Sequence, residues 1–360
     1  MKKKIAIMGS TGSIGTQALD VVRSYPEEFE ITALICRNNS EAFRDQVKEF
    51  RPSKAVVVNE MGEDEVISAV TLPGVDLVVI STVGLSGLKP TLAAIKAKKD
   101  VALATKEAMV LAGSLVIEEV VKNKINLLPI DSELAALRQC LRRSPDNSIK
   151  RLILTMGKGN LAKMTKKELE RITIDEVLDR KVWKMGEKIS VDSATGMNKA
   201  FEVIEASKWF GINQDKIELV VHPEYLCHSL VEFVDGSILT ELGTPDMRRY
   251  IHQALFYPQR KTIKVSKYLD LIDKQLSFEE VPFNKFPLLK YGHLALNLGG
   301  TVPAVIHGAD ESAVDLFIRG EIKFTEIKYF IDKAINNHKV IDNPTLNQII
   351  EAHEEGRRIR

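Results

Sequence analysis

Three things are scarce in this chain of 360 residues: cysteine, an excess of charge of either sign, and long apolar runs. The three cysteines, Cys36, Cys140 and Cys227, are an odd number without C-x-x-C spacing. That argues against a disulfide framework or a thiolate zinc site and for a reducing cytoplasm. With 50 Lys and Arg against 49 Asp and Glu, the formal net charge is +1, and nothing suggests a nucleic-acid binder. No segment approaches the roughly 18 apolar residues of a membrane span. The apolar run after the basic start, Ile5 to Met8, is too short for a secretory signal core. Internal repeats and low-complexity segments are also missing. What is present is 44% hydrophobic residues, enough for two or three domains with real cores.

From residue 4 to about 150, short β-rich runs alternate with amphipathic segments of about a dozen residues. The runs are KIAIM (4–8), EITALI (30–35), KAVVV (54–58), DLVVIS (76–81), DVALA (100–104) and INLLPI (125–130). Near-continuous Val/Ile/Leu runs of this kind predict an α/β fold: a Rossmann-like, doubly wound parallel sheet with helices on both faces. Beyond Ser144-Pro145 the pattern changes. Strands are expected near 151–156, 188–191, 217–222, 229–234 and 237–242, the last two joined by a tight turn at Asp235-Gly236. From Phe286 onward the apolar residues recur at three and four, as in 324–335 and 345–353, and predict helices only. The expected organisation is a dinucleotide domain (1–148), an α+β catalytic domain (149–285) and a helical C-terminal domain (286–360).

The first strand runs directly into Gly9-Ser10-Thr11-Gly12-Ser13-Ile14-Gly15 and then a helix. Glycines at a strand-to-helix turn let the backbone approach a pyrophosphate, which then rests on the helix N-terminus. The second strand ends at Cys36-Arg37-Asn38 instead of the acid that would bind ribose hydroxyls. Arg37 suits a 2′-phosphate, and therefore NADPH. Lys106 follows the fifth strand at the carboxyl end of the sheet, where ligands bind in such folds.

The sixth strand is followed by Asp131 and Glu133. Residues two apart in an extended segment point the same way, so the two carboxylates can converge on a cation. The same residues also read as a helix start with Asp131 as its cap. A second polar cluster, KISVDSATGMNKAFEVIEA (188–206), opens a helix with Ser193 or Thr195 as the expected cap and places Asn198 and Glu202 on one face. Asp131, Glu133 and Glu202 together form an all-oxygen set that prefers Mg²⁺ or Mn²⁺ over zinc. Ser193, Asn198 and Lys199 offer donors and charge to a phosphate. His222 and His228 each read either as a functional or as a structural histidine.

These segments carry a resemblance. GSTGSIG (9–15), Lys106-Glu107, PIDSE (129–133), KISVDSATGMNKAFEVIEA (188–206), HPEYLCHSLVEFVDGS (222–237) and LGTPDMR (242–248) resemble the 1-deoxy-D-xylulose 5-phosphate reductoisomerase family nearly end to end. The resemblance implies an NADPH-dependent enzyme of isoprenoid precursor synthesis with Asp131, Glu133 and Glu202 as metal ligands. It implies substrate contacts from Ser132, Lys106 and His228, with Lys106, Glu133 and His228 catalytic and Lys106-Glu107 also facing the cofactor. Ser193, Asn198 and Lys199 would bind the phosphate, and Trp183 and Met185 would lie on a closing loop. A homodimer is implied as well.

Four departures accompany the matches. The family's TGSGGPF segment is here Thr155-Met-Gly157-Lys158-Gly159-Asn160-Leu161, so a phosphate-site serine becomes Gly157. The family's loop sequence HPxW is here Arg180-Lys181-Val182-Trp183, so a histidine is lost. Thr105 replaces an asparagine, and Leu134 replaces a polar residue. Lys158 and Arg180 are therefore expected to make the substrate site more cationic. Two other readings follow: a paralogue acting on a different phosphorylated keto sugar, and a non-catalytic NADPH-binding sensor.

Overall fold

The computed structural model describes residues 1–359 except Arg143, Asp146, Asn147 and residues 180–185, and leaves aside the side chains of Asn160, Lys163 and Lys166. The chain divides into two compact units. One comprises 1–108, 114–135 and 246–268, the other 109–113, 136–245 and 269–360.

In the first unit all six expected strands form: β1 (Lys3–Met8), β2 (Phe29–Cys36), β3 (Lys54–Val57), β4 (Leu77–Ile80), β5 (Asp100–Leu103) and β6 (Leu127–Pro129). They pair in parallel in the order β3-β2-β1-β4-β5-β6. The order reverses between β1 and β4, so the crevice for a ligand opens where β1 delivers the glycine loop. The strands read as unbroken apolar runs because both faces are covered. Ile5, Ile7, Leu34, Leu77 and Val79 are buried together with Leu19 and Val22 of the helix Ser13–Ser24. The helix Met247–Phe256 also joins this core through Ile251, Leu255 and Phe256, and the Phe256 ring meets Tyr25 edge-on with centroids 4.9 Å apart.

The second unit holds a mixed sheet of β7 (Ile149–Met156), β8 (Ile217–Val221), β9 (Cys227–Phe233) and β10 (Ile238–Leu242), ordered β10-β9-β7-β8. The turn at Asp235-Gly236 forms as expected, with Gly236 at φ +87°, and β9 and β10 pair antiparallel across it. The expected strand at 188–191 does not form. Those residues lie in a helix, Glu187–Thr195, in which Lys188 and Asp192, one turn apart, pair at 2.6 Å. Four residues alternating polar and β-branched, Lys188-Ile189-Ser190-Val191, are too short for periodicity to decide between strand and helix, and tertiary pairing decides. Gly196, at φ +88°, then breaks the chain into a second helix, Met197–Phe210. From Pro287 onward the described elements are helical, as expected.

Candidate functional site

The glycine loop is shaped by backbone against backbone. Gly9 takes φ +83°, and a Cβ there would lie 2.5 Å from the Ser81 carbonyl oxygen. A Cβ at Gly15 would lie 2.1 Å from the Gly9 carbonyl oxygen, so no side chain fits at either position. The helix that follows is preceded by Gly12, which has no side chain to cap it, leaving its first N–H groups for a ligand. Ser10 is buried, whereas Thr11, Ser13 and Ile14 are wholly or partly accessible. Arg37 and Asn38 follow β2 as exposed residues, and Asn38 accepts a 2.6 Å hydrogen bond from the Asn59 amide.

At the other side of the switch point, Lys106 and Glu107 open the helix Lys106–Asn123. Lys106 makes a 2.7 Å ion pair with Asp131. The Glu107 carboxylate accepts from the Gly84 backbone N–H at 2.8 Å and so fixes the turn after β4. Asp131 and Glu133 do not lie in an extended segment, since a helix begins at Ser132. They meet because both stand at its first turn. The Asp131 carboxylate accepts from the Glu133 N–H at 3.3 Å, the Ser132 hydroxyl bonds Glu133, and carboxylate oxygens of Asp131 and Glu133 lie within 4.8 Å of each other. The helix-start reading is the one realised, with Asp131 just before the helix and accepting from its second N–H.

In the second unit, Ser193 lies inside the helix Glu187–Thr195 and not at a cap. Thr195 does accept from the Met197 N–H, at 3.2 Å, across the Gly196 break. Asn198 donates to Glu202 at 2.6 Å, and Lys199 forms an ion pair with the same carboxylate. Glu202 is only 2% exposed and Lys199 6%. A carboxylate so buried needs a cation beside it, and here a lysine supplies it. His228 is buried, its Nε2 3.1 Å from the Gly243 carbonyl. His222 is structural: Nδ1 donates to the Ser277 carbonyl at 2.9 Å while Nε2 accepts from the Leu226 N–H at 3.1 Å.

Comparison with known proteins decides the family. Models of 1-deoxy-D-xylulose 5-phosphate reductoisomerase match residues 5–61 and 58–113, and models of its C-terminal regions match 127–210 and 242–359. The enzyme of that name from Caldanaerobacter subterraneus subsp. tengcongensis is 46% identical, covering 99% of this chain and 97% of the relative. The one from Thermoanaerobacter sp. strain X514 is 44% identical over 98% and 97%. The chain belongs to the 1-deoxy-D-xylulose 5-phosphate reductoisomerase family. A structure of the Zymomonas mobilis reductoisomerase in complex with NADPH superposes with a TM-score of 0.92 at 32% identity, covering 99% of this chain and 97% of that one. Another family structure, which holds NADPH, fosmidomycin and magnesium, gives 0.91 at 33% identity over 99% and 97%.

The departures from the reductoisomerase pattern at Gly157, Lys158, Thr105 and Leu134 have local surroundings that accommodate them. A Cβ at Gly157 would lie 2.0 Å from the Tyr225 hydroxyl oxygen and ring carbon, so Tyr225 fills the space a serine there would use. Sequence reasoning missed Tyr225. Its only signal was its place inside the matching HPEYLCHS segment. Lys158 makes an ion pair with Glu279 at 2.6 Å, both side chains 42% exposed, so its charge is answered within its own unit. Thr105 is buried and donates to the Thr82 carbonyl at 2.6 Å, and Leu134 is buried in the protein. Arg180, Trp183 and Met185 lie outside the described residues.

Proposed function

We propose that this chain converts 1-deoxy-D-xylulose 5-phosphate to 2-C-methyl-D-erythritol 4-phosphate, as an NADPH- and divalent-metal-dependent reductoisomerase serving isoprenoid precursor synthesis. The observation that carries the reading is the pairing of each acid cluster with its own lysine, Asp131 with Lys106 and Glu202 with Lys199. An all-oxygen carboxylate set held by exchangeable ammonium groups suits Mg²⁺ or Mn²⁺. In this reading Asp131, Glu133 and Glu202 hold the cation, and Gly9 to Gly15 with Arg37 and Asn38 hold NADPH. When bound, the cation polarises adjacent hydroxyl and carbonyl oxygens of the sugar, and the nicotinamide supplies the hydride that reduces the rearranged aldehyde.

The chain's own residues do the rest. Lys106 and Lys199 turn from the carboxylates to the substrate once those carboxylates are neutralised, Lys106 toward the reacting oxygens and Lys199 toward the phosphate. Ser193 and Asn198 donate to the same phosphate, and the Tyr225 hydroxyl takes the place of the serine missing at Gly157. His228, oriented by the Gly243 carbonyl, and Ser132 line the reacting carbons. Glu107 positions the turn after β4. Lys158 reaches the substrate only by leaving Glu279.

A homodimer is part of the reading. β10 is the edge of its sheet, and Ile238 and Leu239 on it are 51% and 48% exposed. An apolar edge strand is a template for pairing with a second copy. Among the described residues no helix is long and apolar enough to cross a membrane, and all three cysteines are free. We place the enzyme in the cytoplasm.

The test is NADPH oxidation with Mg²⁺ or Mn²⁺ across a panel of keto-sugar phosphates. Turnover of deoxyxylulose phosphate above the others is the expected result. Turnover confined to another sugar would favour the paralogue, and NADPH binding without any turnover the sensor.

A further inference from the structure

A second cluster of ligand-type side chains lies within the helical part of the second unit. His307 and Glu311 are four apart on the helix Val302–Ile318 and so share a face. His353 faces them from the helix Leu346–Arg357. Two glycines bring these helices together: a Cβ at Gly308 would lie 2.0 Å from the His353 carbonyl oxygen, and one at Gly356 would lie 2.3 Å from that of Val305. His307 is 0% exposed and His353 1%.

His353 Nε2 lies 3.1 Å from His307 Nδ1 and 3.3 Å from Glu311 Oε2, and one ligand atom of each residue lies within 4.8 Å of the other two. Three lone-pair-bearing atoms therefore converge, whereas a single N–H on His353 satisfies one line between them. Ligands bound to zinc at about 2.0–2.1 Å in a tetrahedron stand roughly 3.3–3.4 Å apart. The two close separations are already near that edge length. His353 Nδ1, on the ring edge opposite Nε2, is buried without a hydrogen-bond partner, and the Glu354 carboxylate stands 3.6 Å from it.

Two neighbouring cations bear on the site. Lys188 is held between Asp192 at 2.6 Å and Asp310 at 2.7 Å, so its charge is answered. Arg357 lies 3.4 Å from Glu311 and 3.8 Å from Glu354 with half its side chain exposed, so its charge is shared between two carboxylates and solvent.

We propose that His307, Glu311 and His353 form a transition-metal site, taking Zn²⁺ with a water at the fourth position and pinning the last helix to Val302–Ile318. Two imidazoles and one carboxylate select a borderline metal such as Zn²⁺ over the hard cations suited to the acids of the proposed active site. The site does not depend on the reaction proposed above.

The test uses the full chain stripped with chelator and titrated with Co²⁺, then Zn²⁺. Four-coordinate Co²⁺ absorbs intensely in the visible, whereas an oxygen-only six-coordinate site absorbs weakly. The expected result is one intense Co²⁺ signal per chain, displaced by Zn²⁺, with Zn²⁺ also raising Tm. His353→Gln should abolish the signal and the rise in Tm. Should that variant fail to fold, Glu311→Gln decides, because Glu311 is half-buried and the amide keeps its size: Zn²⁺ affinity should fall at least tenfold while the metal-free Tm stays put. Absence of the intense signal in the wild type, or equal Zn²⁺ affinity in wild type and Glu311→Gln, would overturn the proposal and leave a hydrogen-bonded histidine pair.

Discussion

Two glycine-bearing loops, Gly9–Gly15 after β1 and Gly157–Gly159 after β7, behave differently. At Gly9 and Gly15 the excluded Cβ meets backbone carbonyls, at 2.5 and 2.1 Å. At Gly157 it meets the far end of a side chain, Tyr225, at 2.0 Å, and at Gly159 it meets nothing within 4 Å. A backbone clash has no escape, because moving the obstacle means breaking the strand pairing that made the loop. A side-chain clash can be relieved by one rotamer or one substitution. The first loop is therefore fixed by the fold, whereas the second is negotiable, and the departures from the family pattern include the second.

Mutations can break or sharpen this contrast. Gly15→Ala carries the largest expected effect, about 3 kcal/mol of stability or more, together with loss of NADPH binding. Thermal melts and cofactor fluorescence would read both, and a stable variant with wild-type NADPH affinity would remove the backbone argument. After β2, Arg37→Ala removes only an exposed side chain. It should weaken NADPH by about 1.5–3 kcal/mol and leave NADH little changed, and an equal loss for both cofactors would show that Arg37 does not read the 2′-phosphate. Gly157→Ala should cost about 1–3 kcal/mol through overpacking. Tyr225→Ala in the same chain should restore most of that stability, and additive losses in the double mutant would mean that the two residues do not compete for one space. Lys158→Ser should have the smallest effect, about 0–1 kcal/mol of stability, since its pair with Glu279 is half exposed. A large loss of substrate affinity in that variant would instead place Lys158 on the substrate.

The first sheet was legible because each strand is a nearly unbroken Val/Ile/Leu run bounded by helix-forming segments, and burial on both faces demands that composition. The helix at 187–195 was not. Ile189 and Val191 carry β-branched side chains, and the Lys188 pairs with Asp192 and Asp310 that accompany the helix include one partner over a hundred residues away. The packing of Met247–Phe256 with β1 and Ser13–Ser24 was hidden for a related reason, as its apolar face names no partner. The acids were visible as types and positions. Their convergence came from a helix start at Ser132 and not from the extended segment the spacing suggested. Neither Lys106 on Asp131 nor Tyr225 against Gly157 could be read at all, because both are meetings of residues distant in sequence, whereas Lys199 and Glu202 stand three apart on one helix.

The central claim is that the glycine loop holds the cofactor while the carboxylates hold the metal, as separable tasks. It is tested most directly by measuring NADPH affinity and Mg²⁺-dependent turnover side by side in Asp131→Asn. The account predicts an NADPH Kd within about twofold of wild type and turnover reduced by about a hundredfold or more, equivalent to about 2.7 kcal/mol of lost transition-state stabilisation. Turnover equal to wild type, or NADPH affinity falling in step with it, would contradict the account.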